Sequence, residues 1–246
     1  MENEVSQINE LSLFRGSPIK FQNVGLVHPF NVGDIETLGE ELYEKYLQFL
    51  TIDEERLKNI LKIEDKEFTT YEFIVVNCMN DKEFCGLIID ALSYIFKEPV
   101  SFSEHGFFCV GKLEDERYLF HENYNEFKKI LRLQNCLDKK EEIVEENPAN
   151  AKAAELLRRR NEVREKLKKA KSGEGEPLAW EDLISILCAN GNGITVDNVW
   201  NLSVYAFNKQ FVRMKMLEEF DISVRSLLAG AKQEDVELVH WMSKSE

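Results

Sequence analysis

The sequence lacks the cysteine and histidine spacings that usually mark metal sites and disulfide frameworks. No CxxC or HxxxH pair occurs in it, so zinc and disulfides are both poorly supported. The four histidines lie far apart, and none has an aspartate or cysteine at an offset typical of a catalytic triad. We therefore predict no metal, no cofactor and no catalytic residue, and hence a protein that is not an enzyme.

The cysteines that are present form no obvious pairs. They are an odd number and lie among apolar neighbours, as in the run Phe107-Phe108-Cys109-Val110. Buried free thiols in a reducing compartment fit this pattern best. The five cysteines are Cys78, Cys85, Cys109, Cys136 and Cys188.

Long apolar runs and a basic leader are also missing. No apolar stretch approaches the roughly 18 residues that span a bilayer, and the opening MENEVSQINE is not a signal peptide. The sequence thus predicts a cytoplasmic protein with no membrane contact. Its net charge of -14 repels phosphates, so nucleic-acid binding is unfavourable. The 43% of hydrophobic residues nevertheless predicts a compact fold.

The pattern of residues 1–121 predicts an N-terminal α+β domain. Residues 1–17 are polar and mixed, which indicates a loosely held tail. One or two short strands are expected in Ile19–Val32. A helical period then begins, with Asp34 as its cap, and runs to Leu50. Further helices are expected from the segment 51–54, from Thr69 or Thr70, and from Asp81, before a small antiparallel hairpin or three-stranded sheet within 100–120.

Residues 122–172 predict a charged helical hairpin. Proline cannot continue a helix but suits its first turn, so Pro148 marks the break between the two helices. The second helix carries a basic tract at 158–171, which we expect to pair with the acidic first arm or with a protein partner. Residues 173–177, GEGEP by sequence, are expected to form a linker. Overall the sequence predicts a mostly helical α+β protein.

Residues 178–246 predict a C-terminal helical module. A short helix is expected from Trp180 to Ala189, then a glycine-rich turn at 190–193, then the longest helical pattern of the chain from Ile194. Apolar residues on this last helix recur at intervals of four and three. They either pack on their own domain or form a partner-binding face, because aromatic and methionine-rich helices suit adaptable contacts. The candidate partner-binding residues are Trp200, Val204, Phe207, Phe211 and Met214.

Several segments resemble proteins from the tail regions of Firmicute phages and prophages. These segments are VWNLSVYAF at 199–207, SLLAGA at 226–231, HWM at 240–242, LRLQNCL at 131–137 and NPAN at 147–150. The group is similar to the tail assembly chaperones of long-tailed phages. The resemblance implies a cytoplasmic, non-catalytic protein that binds tape measure protein and tail tube subunits.

Other functions remain open at the level of sequence. A structural tail or baseplate component of the virion would also be acidic and non-catalytic. A nucleic-acid-associated factor would act through the basic tract, whereas an enzyme would require a deep polar pocket with convergent ionisable groups. The sequence also leaves open whether the protein forms a homo-oligomer.

Overall fold

A computed structural model describes residues 8–62, 68–137, 178–190, 193–230 and 238–243. Its contacts divide the chain into two compact units, residues 1–138 together with 184–246, and residues 139–183. The first unit thus includes residues of both the predicted N-terminal domain and the predicted C-terminal module. The helix break at Pro148, the basic tract at 158–171 and the linker at 173–177 lie outside the described residues, so the predicted domain boundaries stay predictions.

A short helix, α1 (Glu10–Arg15), occupies part of the predicted loose tail, so that prediction is wrong for these residues. The side chain of Asn9 accepts a hydrogen bond from the Leu11 amide at 2.9 Å and caps the first turn. Gly16, with a φ of 75°, ends the helix. Leu13 is buried, and this tertiary contact is what holds so short a helix in place.

Two antiparallel strands follow, β1 (Ile19–Phe21) and β2 (Gly25–Val27), with Lys20 opposite Leu26. This confirms the strands expected in that region. Phe21 and Val27 point into the core, where the ring of Phe21 lies 6.0 Å from the ring of Phe127.

The helical pattern that starts near Asp34 forms two helices, α2 (Val32–Leu38) and α3 (Glu40–Thr51). The prediction of one continuous helix is wrong because Gly39 adopts a φ of 84°, which interrupts the helical backbone. Asp34 is not the cap either. It lies inside the first turn, where its carboxylate accepts a hydrogen bond from the Asn31 amide at 2.7 Å.

Three further helices begin where the sequence predicts them: α4 (Glu54–Leu61), α5 (Thr70–Asn80) and α6 (Lys82–Phe96). In each, the residue before the helix accepts hydrogen bonds from amides of the first turn. These capping residues are Asp53, Thr69 and Asp81. Capping is a local interaction, which explains why the sequence pattern locates these helix starts correctly.

A three-stranded antiparallel sheet of order β3-β4-β5 follows, as predicted, from β3 (Val100–Phe102), β4 (Phe108–Val110) and β5 (Tyr118–Leu119). A 3-10 helix (Leu113–Asp115) connects the last two strands. At its edge Arg117 donates hydrogen bonds to both carboxylate oxygens of Glu98. These bonds hold the pKa of the Glu98 carboxyl below its ordinary value.

Helix α7 (His121–Gln134) crosses the centre of this unit and packs on α3 and α5. Phe127 stacks on Phe96 at 5.5 Å between ring centroids. The hydroxyl of Tyr124 donates to the carbonyl of Leu50 at 2.8 Å, and complete burial raises the pKa of this phenol. The core therefore joins helices that are far apart in sequence.

The remaining helices within the described residues are α8 (Trp180–Ala189), a 3-10 helix (Val199–Asn201) and α9 (Val204–Leu228). The long helix expected from Ile194 begins ten residues later, so that prediction is wrong. The side chain of Asn198 accepts from the Thr195 amide and donates to the Gly193 carbonyl, each at 2.8 Å, and these bonds hold residues 193–198 in a turn. The mostly helical α+β class is confirmed.

All five cysteines are free thiols. Cys78 and Cys109 are buried as predicted, whereas the other three are only half-buried. The sequence pattern overestimates their burial because apolar neighbours in sequence do not ensure neighbours in space.

Candidate partner-binding helix

The start of helix α9 is joined to the segment between β2 and α2 by backbone hydrogen bonds. The Val32 amide donates to the Leu202 carbonyl, and the Val204 amide donates to the Phe30 carbonyl, both at 2.9 Å. These two bonds form an isolated antiparallel bridge between Asn31 and Ser203. Phe30 is itself buried, with its ring 5.3 Å from the ring of Tyr43, so α9 starts from the core.

Ser203 fixes the direction in which the helix leaves the core. Its hydroxyl oxygen accepts from the Ala206 amide at 3.1 Å and so caps α9. Two glycines allow the backbone to approach closely at this point. A Cβ on Gly16 would lie 3.2 Å from the Cβ of Ser203, and a Cβ on Gly33 would lie 3.1 Å from the carbonyl oxygen of Trp200. The start of α9 is therefore tightly packed against these neighbouring segments.

The five predicted partner-binding residues fall into two groups. Val204 and Phe207 are each only 1% exposed and belong to the core. Phe211 and Met214 continue the same face of α9, but they are half-buried. Trp200 lies on the preceding 3-10 helix rather than on α9, and 38% of it is exposed. The structure thus divides the predicted stripe into an anchoring part and an open part.

Beyond Phe207, no residue of α9 is buried. The helix has 25 residues and is therefore about 37 Å long, and its later turns carry exposed Val212, Leu217 and Ile222. At 100° per residue, these three side chains point in three different directions. Residues 208–228 thus present apolar side chains to solvent on several sides of the helix, between charged ones. We call residues 208–228 the open part of α9.

Lysine side chains shield two aromatic rings near the start of α9. The ammonium group of Lys215 lies 4.9 Å from the ring centre of Phe211, and that of Lys209 lies 5.6 Å from the ring centre of Tyr205. Burial, with a smaller effect of Glu10, raises the pKa of the Tyr205 phenol. Such flexible side chains cover apolar surface loosely and can move aside when another apolar surface arrives.

Comparison with known protein families supports a phage origin for this region. Residues 168–246 match the family model for the YomV second domain. YomV is a protein of a Bacillus phage or prophage region, and the match is consistent with a phage protein. It covers less than half of the chain. No significant similarity to a curated protein or to a solved structure was found.

The part matching the YomV second domain contains α9 and also a segment whose contact with α9 the sequence does not predict. This segment, residues 238–243, lies beside α9, and we call it the return segment. Arg213 on α9 donates hydrogen bonds to the carbonyls of Trp241 and Ser243. The motif His240-Trp241-Met242 supports the resemblance, but nothing in its spacing indicates a contact with Arg213.

A shallow open groove of about 460 Å³ runs between α4 and α7 and carries side chains of both charge signs. Lys128 there bonds Glu54 at 3.3 Å and the Thr70 hydroxyl at 3.0 Å, so its charge stabilises the contact between helices. Within the described residues, no group of three or more histidine, cysteine or acidic side chains is arranged to hold a metal ion.

None of the helices in the described part of the chain is both long and apolar enough to cross a bilayer.

Proposed function

We propose that the protein is a phage tail assembly chaperone that binds tape measure protein and tail tube protein in the host cytoplasm, without catalysis and without a cofactor. One observation carries the proposal: α9 is fixed to the core at residues 202–207, whereas its open part presents apolar side chains in several directions. The YomV match and the resemblance to tail chaperones support a role in phage assembly.

The open part of α9 suits temporary binding of an apolar helix. Complete burial of one large apolar side chain contributes about 1.5–3 kcal/mol, and Phe211 and Met214 are already half-buried. Each therefore has only part of this energy to contribute, so several contacts are needed to hold a client. A sum of modest contacts allows release when the tail assembles, whereas a single deep pocket would favour permanent binding.

Aspartate at both Phe211 and Met214 tests this proposal. Phe207 is unsuitable because aspartate at a position that is 1% exposed would unfold the core. A matched control exists on α5, where Val76 and Met79 have the same spacing and are 51% and 54% exposed. Tape measure protein should co-purify with the control pair Val76→Asp and Met79→Asp from prophage-induced cells. The amount recovered with the Phe211→Asp and Met214→Asp pair should fall by at least about tenfold.

Equal recovery with both pairs would remove the open part of α9 from client binding. Mass spectrometry of purified virions separates the chaperone from the structural alternative. A chaperone leaves before maturation, so its peptides should be missing from virions that contain tail tube peptides. Its presence there in stoichiometric amount would instead identify a tail or baseplate component.

A further inference from the structure

Helix α9 has a second apolar face, which is covered by the return segment. Arg213 and Phe220 lie seven residues apart and hence on one side of the helix. Phe220 contacts the ring of His240 at 5.0 Å between ring centres. Because His240 lies at Phe220 while Trp241 and Ser243 lie at Arg213, the return segment runs opposite to the helix.

The covering segment is a tight turn. The Ser243 amide donates to the His240 carbonyl at 2.8 Å, and the Met242 amide donates to Nδ1 of His240 at 3.1 Å. These bonds use the amides inside the turn and leave the carbonyls of Trp241 and Ser243 to point outward. Arg213 donates hydrogen bonds to both carbonyls from one nitrogen, Nη1.

This contact depends little on which side chains the return segment carries. A guanidinium that binds main-chain carbonyls recognises the backbone of a turn, and Phe220 adds an affinity for a neighbouring ring. The cover is also incomplete, since Leu238, Val239 and Met242 all remain more than half exposed. A segment held by so few contacts exchanges readily with a competitor of the same chemistry.

We infer that the face of α9 formed by Arg213, Met216 and Phe220 is a peptide-binding site for a tight turn bearing an aromatic ring, and that the return segment occupies it until such a turn from a protein partner displaces it. This site lies beside the stripe containing Phe211 and Met214. It does not depend on the identity of the client proposed above.

The test uses the full chain and a fluorescein-labelled peptide of sequence LVHWMS, the sequence of the return segment. A tethered segment acts at an effective concentration of about a millimolar and competes with the free peptide. The variant carrying His240→Gly and Trp241→Gly weakens that competitor. It should therefore bind the peptide about tenfold more tightly than the unaltered chain, measured by fluorescence anisotropy.

Two further variants, made in the His240→Gly and Trp241→Gly background, establish where the peptide binds. Arg213→Ala should weaken binding by about tenfold, the loss expected when a charged hydrogen-bond donor is removed. Arg225→Ala is the matched control, because Arg225 lies on the same helix but pairs with Asp221 at 2.7 Å, and its side chain is 77% exposed. It should leave the affinity unchanged.

Three results would overturn the inference. They are no peptide binding by the His240→Gly and Trp241→Gly variant, equal affinity of this variant and the unaltered chain, and equal losses from Arg213→Ala and Arg225→Ala. Circular dichroism melts of all variants should coincide within a few degrees, because the substituted residues are half-buried or exposed.

Discussion

Both the backbone conformation of Gly111 and its closeness to Arg117 require glycine at this position. It adopts a φ of 80°, which residues with a side chain rarely adopt, and a Cβ there would lie 2.0 Å from Nη2 of Arg117. Alanine would therefore strain the backbone and also displace the guanidinium from Glu98. The glycine makes the ion pair at the edge of the three-stranded sheet possible.

We predict that Gly111→Ala lowers the free energy of unfolding by about 1–3 kcal/mol. Urea denaturation followed by circular dichroism measures this change. Gly86 on α6 is a matched control, because a Cβ there meets nothing within 4 Å. Gly86→Ala should raise the free energy of unfolding by up to about 1 kcal/mol, through helix propensity. Equal effects of the two substitutions would show that the contact with Arg117 has no energetic role.

At the scale of elements, Ser203 is the residue that connects the core to helix α9. Its hydroxyl caps the helix through Ala206, and its backbone is bridged to Asn31. Loss of the hydroxyl leaves an amide of the first turn without its partner, and this destabilises the start of the helix. The anchored and open parts of α9 both depend on this start.

We predict that Ser203→Ala lowers the free energy of unfolding by about 1 kcal/mol, the usual value for a lost helix cap. Thermal and urea unfolding both measure it. Ser226, in the last turns of the same helix and half-buried, provides the comparison, and Ser226→Ala should be neutral or slightly stabilising. A Ser203→Ala variant as stable as Ser226→Ala would rule out the cap as an anchor.

Which elements the sequence predicts correctly depends on whether local or distant contacts define them. Asp53, Thr69 and Asp81 cap their helices through amides two or three residues away, so their sequence signal is sufficient. The start of α9 depends on Phe30 and Val32, which lie far away in sequence. Periodicity alone places this start too early, because the residues before Val204 are also apolar.

The same contrast applies to the candidate site. Spacing along the helix correctly groups Val204, Phe207, Phe211 and Met214 on one face. It does not show that the core covers the first two and leaves the others half-exposed, because this division depends on where α1 and α7 pack against α9. The contact between Arg213 and the return segment is likewise formed only by the fold.

At the scale of the whole molecule, a stable core supports a helix that is only partly used by that core. The net charge of -14 favours solubility, which a protein with exposed apolar side chains needs. It also favours clients whose apolar helices carry basic residues at their edges. Charge and apolar surface thus act together in the proposed chaperone function.

Amide hydrogen exchange along α9, measured by mass spectrometry, tests client binding most directly. In the protein alone, amides in the first turns, bonded within the core, should exchange slowly, and those of residues 208–228 should exchange faster. Addition of tape measure protein should slow exchange across residues 208–228 and leave the first turns unchanged. Exchange in residues 208–228 that stays the same in a complex shown to have formed would contradict client binding by the open part of α9.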